Sequence, residues 1–300
     1  IGGTMLGTTN KGDPFAYPMP DGKEIDRSQE IIDGYRQLGL DALIGIGGDG
    51  SLTILRRLAQ QGNINLIGIP KTIDNDIGIT EHCIAFDTAV NSATEALDRL
   101  HFTAASHSRV MILEVMGRDA GHIAISAGIA GGADAIVIPE IPYNIESVCA
   151  AIRKRGSAGH LFSIVVVAEG AVPAAGTKVV QKTADENLGV ERLGGIGHAV
   201  ARQIESCLGL DMELRVVVLG HVQRGGTPSP YDRILSSRFG VKAVQLIEEG
   251  GFGKMVSLHA RNIEFIDIAD AVGKLNLIDP EGELVKTTEE LGIMLGREKP

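Results

Sequence analysis

Seven residues, Pro70-Lys71-Thr72-Ile73-Asp74-Asn75-Asp76, carry side chains able to move a proton or hold a cation, and they follow the apolar run Leu66-Ile67-Gly68-Ile69. Proline fixes its own φ and cannot donate to a ladder, so Pro70 should end a buried strand and leave the polar residues on the loop at its carboxyl end. Ligands bind there in open α/β sheets. If the segment stays extended, Asp74 and Asp76 point the same way, and two crowded carboxylates need a cation or a protonation change. A metal-bound phosphate would supply the cation, and an incoming hydroxyl could use a carboxylate as its base. The same residue types also suit an Asx turn, in which Asp and Asn cap their own backbone.

A second loop, Gly47-Gly48-Asp49-Gly50-Ser51, follows the run Ala42-Leu43-Ile44-Gly45-Ile46 and opens a helical pattern. Backbone amides and a helix N-terminus suit a phosphate. Gly45, Gly47 and Gly50 satisfy the spacing of a dinucleotide fingerprint. That reading also wants an acid at the end of the next strand, where Pro70 and Lys71 stand instead, and a Walker lysine is absent. Asp49 makes sense if it holds Mg²⁺ between phosphates. Arginines recur at expected strand ends: Arg109, Arg118 in Met116-Gly117-Arg118-Asp119-Ala120-Gly121-His122, Arg215, and Arg224 in Gly220-His221-Val222-Gln223-Arg224-Gly225-Gly226. Arginine suits bidentate phosphate contact, although a single one is usually a surface charge. His221 alone is more often a satisfied histidine than a catalyst. Glu169, after the run Ile164-Val165-Val166-Val167, is a cap or a ligand at the same sheet edge.

Positioning these loops requires alternating strands and helices. Helical spacing appears at about 28–38, 52–62, 85–103, 121–130, 144–155, 192–207 and 230–249, and apolar strand runs at 42–46, 66–69, 109–115, 135–138, 163–168 and 215–219. This order predicts an α/β, doubly wound architecture with parallel sheets. Residues 1–26 read as loop, and the last 25 end without a strong pattern. The opening Ile1-Gly2-Gly3-Thr4 lacks an initiator Met and reads as an N-terminal truncation.

The 300 residues, 44% hydrophobic, are enough for one large or two ordinary domains, and 39 glycines suit many strand-to-helix turns. A formal net charge of −10 argues against nucleic acid or an acidic membrane surface as the main partner. The cysteines Cys83, Cys149 and Cys207 lack metal-ligand spacing and read as free, small apolar residues in a reducing cytosol, so a cytoplasmic protein is expected.

The two glycine loops and the Pro70–Asp76 stretch, with Met116-Gly117-Arg118, Pro139-Glu140, Gly220–Gly226 and Pro230-Tyr231-Asp232-Arg233, resemble the 6-phosphofructokinase family over almost the whole chain. The resemblance implies two doubly wound domains with the active site between them. Residues 1–86 with 223–275 would form the donor half and 87–222 with 276–300 the sugar-phosphate half. It implies a glycolytic kinase that moves a phosphoryl group from ATP to the C1 hydroxyl of fructose 6-phosphate. Asp74 would be the general base, with Thr72 and Asp76 beside it and Arg118 near the transferred group. Met116, Gly117, Glu169, His221 and Arg224 would line the sugar-phosphate site. Gly48, Asp49, Gly50, Ser51 and Lys71 would hold the donor, and Asp49 and Asp76 would hold Mg²⁺. Arg109 and Arg215 would reach a neighbouring subunit's sugar phosphate, making the protein a homo-oligomer. ATP users have glycine where Gly50 stands, whereas pyrophosphate users have an acid there and a lysine where Lys71 stands; Gly50 weighs more, because an acid would obstruct the α-phosphate. Asn10 and Lys11 fall near a family arginine. Pyrophosphate dependence, a non-catalytic regulatory subunit and a dinucleotide-dependent oxidoreductase are the competing readings.

Overall fold

The computed structural model describes residues 3–4, 7–8, 12–176, 178, 194–209 and 213–297. Two units divide the chain, the first comprising Ile1–Thr72, Asp76–Ala85 and Pro228–Asn276, the second Ile73–Asn75, Phe86–Thr227 and Leu277–Pro300.

In the first unit a small hairpin, β1 (Tyr17–Pro18) and β2 (Glu24–Ile25), precedes α1 (Ser28–Gln37). β3 (Leu43–Gly47) then crosses through α2 (Asp49–Gly62) to β4 (Leu66–Pro70), pairing in parallel from Leu43 with Leu66 to Gly47 with Pro70. All five residues of β4 are buried, as a strand covered on both faces requires. One face receives Leu235, Phe239 and Leu246 of a long helix (Pro230–Glu248, α7 below) against Ile67 and Ile69. The other receives Leu52 of α2 against Leu66.

The second unit holds a four-stranded, wholly parallel sheet: β5 (Val110–Val115), β6 (Ala135–Val137), β7 (Ser163–Ala168) and β8 (Leu214–Val218), in the order β6-β7-β5-β8. The helices α3 (Phe86–His107), α4 (His122–Ala130), α5 (Ile145–Ser157) and α6 (Ile196–Leu208) flank it. Cys149 and Ile152 of α5 and Val200 and Ile204 of α6 pack with Val110, Val165 and Val167.

The sequence missed three features, the first being the β1–β2 hairpin within residues 1–26, which read as loop. β9 (Lys254–His259), parallel to β4, and β10 (Asn262–Asp267), antiparallel to β9, complete the first sheet in the order β10-β9-β4-β3. Their turn residues, Ala260 at φ 45° and Arg261 at φ 73°, occupy the left-handed region that usually advertises itself by Asn or Gly, so the hairpin carries no turn signature. Pro70 ends β4 as expected, because the last position need only accept: its carbonyl takes the Ile84 N–H at 3.2 Å. The C-terminal stretch contains α8 (Ile268–Ala271) in the first unit and α9 (Glu283–Glu290) in the second, where Ile136 N–H donates to the Met294 carbonyl at 2.8 Å. Arg297 fastens that end, donating to Glu289 at 3.0 Å, Glu281 at 2.9 Å and the Pro280 carbonyl at 2.8 Å.

Candidate functional site

In the first unit the parallel register of β3 and β4 sets two polar loops side by side at the same sheet edge. Lys71 N–H donates to the Gly47 carbonyl at 2.9 Å, and a side chain at Gly48 would lie 3.8 Å from both the Lys71 carbonyl and Thr72. Gly48 is the N-cap of α2 and has no side chain to satisfy the first turn. The N–H groups of Asp49, Gly50 and Ser51 therefore have no intrahelical acceptor and present the positive helix end to an anion. Two glycines before the helix answer to internal packing: an added methyl at Gly45 would meet Leu55 at 2.4 Å and one at Gly47 would meet Ser51 at 2.6 Å. Gly50 differs. It is exposed, in ordinary helical backbone, with no atom within 4 Å of an added methyl.

Asp49 Oδ1 accepts the Gly273 N–H at 2.7 Å. One hydrogen bond leaves a carboxylate ample lone-pair capacity. Asp49 thus offers one carboxylate beside the amides of a helix N-terminus. That donor set fits Mg²⁺, which is held through one or two carboxylates plus substrate phosphates rather than in an all-protein cage. Asp76 belongs to this unit, anchored where its carbonyl accepts the Asn276 N–H at 2.9 Å.

In the second unit three strand ends converge. Glu169, just after β7, donates its N–H to the Val115 carbonyl at the end of β5 (2.8 Å), and its carboxylate accepts the Arg118 N–H at 3.1 Å. Gly117 (φ 143°) takes a backbone conformation open to glycine, and Arg118 (φ 52°) enters the left-handed region that L side chains rarely adopt, which puts strain into the turn at that residue. Burial raises the Glu169 carboxyl above its usual range, Glu114 adding to the effect; the Arg118 and Gly117 N–H groups and the Arg224 charge oppose it. A 3₁₀ turn at Gly220–Arg224 follows β8 and exposes His221 and Arg224. Its buried Gln223 accepts the Met116 N–H at 2.7 Å and donates to the Ala89 carbonyl of α3 at 3.5 Å.

The structure thus gathers Gly48, Asp49, Gly50, Ser51, Lys71, Thr72 and Asp76 in one unit, and Asp74, Met116, Gly117, Arg118, Glu169, His221 and Arg224 in the other. The expected extended run from Asp74 to Asp76 is corrected: Asn75 takes φ 54°, so the alternation that would align the two carboxylates is broken between them. Asp74 is 5% exposed. Arg109 and Arg215 do not join Met116 and Arg224. Both lie towards the amino ends of β5 and β8 and share Glu213, which meets Arg109 at 2.7 and 3.2 Å and also pairs with Arg215. Asn10 and Lys11 lie outside the described residues.

No role for Gln223 is legible in the sequence, although it lies within Gly220–Gly226, nor for Glu140 and Glu114. Glu140 accepts the Gly121 N–H at 3.0 and 3.1 Å and the Ile278 N–H at 3.0 Å, anchoring the entry to α4. Glu114 accepts Gly195 and Gly197 N–H at 2.9 and 2.8 Å at the start of α6. A carboxylate within an otherwise apolar buried strand was its available signal.

Among the described residues no helix is long and apolar enough to cross a membrane. The sequence is 62% identical over 295 residues to ATP-dependent 6-phosphofructokinase 1 of Nostoc sp., covering 98% of this chain and 81% of that protein. It is 61% identical to the protein of the same name from Synechocystis sp., over 99% and 81%. The solved phosphofructokinase of Saccharomyces cerevisiae superposes with a TM-score of 0.68 at 32% identity, over 82% of this chain and 33% of that chain. The family pattern described as Phosphofructokinase matches residues 1–247, and the chain belongs to the phosphofructokinase family.

Proposed function

We propose that this protein is an ATP-dependent 6-phosphofructokinase, transferring the γ-phosphoryl group of ATP to the C1 hydroxyl of fructose 6-phosphate. The observation that carries the choice of donor is Gly50. A glycine inside a helix costs about 1 kcal/mol relative to alanine. Nothing in the chain itself requires one at this exposed first-turn position, since a methyl there meets open space. A ligand approaching the helix end does. The proximity of Lys71 to the same loop serves a phosphate of either donor, so it does not outweigh Gly50.

In this reading Asp74 accepts the proton of the C1 hydroxyl as that oxygen attacks in line, and Arg118 stabilises charge on the transferred group. Met116, Gly117, Glu169, His221 and Arg224 orient the sugar phosphate. Phosphoryl transfer depends on such positioning and electrostatics more than on covalent chemistry. Asp49 and Asp76 would hold Mg²⁺, which when bound neutralises the donor phosphates. Arg109 and Arg215, held on Glu213 away from the other sugar-site residues of their own unit, act on a second subunit's sugar phosphate in a cytoplasmic homo-oligomer.

Turnover of fructose 6-phosphate with Mg²⁺ and either ATP or pyrophosphate tests the reading. ATP alone should support it. Turnover with pyrophosphate would reverse the weighting of Gly50 over Lys71, and turnover with neither would favour a regulatory subunit. Mixing Asp74→Asn with Arg215→Ala protein should restore part of the lost activity if sites are shared, and restore none if each subunit is self-sufficient.

A further inference from the structure

Two thiols outside the site described above meet in one packed layer between α5 and α6. Cys149 of α5 is 0% exposed within the packed layer that includes Val148, Val200 and Ile204. Cys207, near the end of α6, packs onto that same layer and is half-buried. It also borders an open cleft of about 440 Å³ that Glu146, Arg202 and Gln203 line. The Cys207 thiol donates to Glu146 Oε2 at 3.3 Å, and Arg153 donates through Nη2 to the Cys207 sulfur at 3.3 Å and to its carbonyl at 2.6 Å. An acceptor for the proton and a cation for the resulting sulfur charge therefore flank the thiol that faces the cleft. Cys149 has the opposite environment. Burial first, then hydrogen bonding with the Cys207 thiol, pushes it up to about 12.

We propose that Cys149 and Cys207 form a reversible intramolecular disulfide, with Cys207 meeting a low-molecular-weight disulfide from the cleft and Cys149 resolving the mixed product. In the first step Cys207 passes its proton through Glu146 to water, and its thiolate attacks one sulfur of the small disulfide. A bond to that sulfur forms as the small S–S bond breaks, and the departing thiolate takes up a proton. In the second step Cys149 loses its proton and attacks Cys207 Sγ, breaking the mixed disulfide and releasing the second small thiol. Two protein thiols are oxidised, and one small disulfide is reduced to two thiols. Because Cys149 is fully buried whereas Cys207 borders the cleft, the second step is the slower one, and the mixed disulfide accumulates before it closes.

Glutathione disulfide is the probe, applied to the native full chain, with intact-mass and peptide mapping after alkylation. The expected sequence is a transient gain of one glutathionyl group on Cys207, followed by its loss with two hydrogens. Free thiols, alkylated after unfolding of the reacted protein, should fall from three to one, leaving Cys83 of the first unit, and dithiothreitol should restore them. Cys149→Ala should stop at the mixed disulfide. Cys207→Ser, a change at the half-buried position, should block both steps. A parent protein that stops at the mixed disulfide, reacts at Cys83, or shows no mass change would overturn the proposal.

Discussion

Replacing Gly170 by alanine tests how tightly the second unit's strand ends are built. A methyl at this position would sit 1.7 Å from the Arg118 carbonyl oxygen and 2.9 Å from its carbon. An ordinary carbon–oxygen contact is about 3.3 Å or more, so one backbone must retreat by roughly 1.6 Å. The obstacle is main chain in a strained turn, not the end of a flexible side chain, and the turn is pinned by the Glu169 carboxylate at 3.1 Å. Overpacking and the loss of a hydrogen bond to a charged group should together cost roughly 3–5 kcal/mol. Misplacing Arg118 and Glu169 by an ångström or more should lower kcat/KM for fructose 6-phosphate by about 10²-fold. Urea unfolding gives the first quantity and steady-state kinetics the second. Gly240→Ala is the control: it lies inside α7, with nothing within 4 Å of the added methyl, and should gain about 0.5–1 kcal/mol. A Gly170→Ala protein within about 0.5 kcal/mol of the parent, with unchanged kinetics, would refute the reasoning; so small a change is what surface sites show.

Asp74→Asn should leave sugar-phosphate binding largely intact while kcat falls about 10²–10⁴-fold, as loss of a general base does; retained turnover would remove the role assigned to Asp74. Gln223→Leu leaves the buried Met116 N–H without its acceptor and should cost about 1–3 kcal/mol, and binding isotherms should show weaker fructose 6-phosphate affinity. The raised carboxyl of Glu169 favours its neutral form in the fold. Its contribution is therefore fully present below the ordinary glutamate value of about 4.3 and is lost as pH rises through the folded value. Unfolding free energies of the parent should fall relative to Glu169→Gln across that window, and parallel curves would contradict the assignment. Gly50→Asp places a carboxylate where a methyl meets open space, so stability should change little while the KM for ATP rises at least about tenfold, an effect of about 1.4 kcal/mol; an unchanged KM would detach Gly50 from the donor.

Local composition determined a great deal of this protein. Apolar runs such as Ile164-Val165-Val166-Val167, alternating with helical spacing, required buried parallel strands and crossovers, and the glycine, aspartate and arginine segments between them marked the loops that carry chemistry. These signals are readable because each depends on residues within a few positions of one another. Tertiary structure decided the rest. Asn75 and Arg118 enter the left-handed region under the surrounding packing, which no spacing rule reports. Gln223 matters because α3 and the end of β5 bring Ala89 and Met116 to its amide, and Glu140 because Gly121 and Ile278 meet there. The β9–β10 hairpin turns through Ala260 and Arg261 without a turn residue, held by its pairing with β4. Cys149 and Cys207, 58 positions apart in sequence (207 − 149), become neighbours only because α5 and α6 pack on the same sheet face. Hydrogen-bond satisfaction and close packing are properties of the assembled chain, and a sequence read in short windows does not contain them.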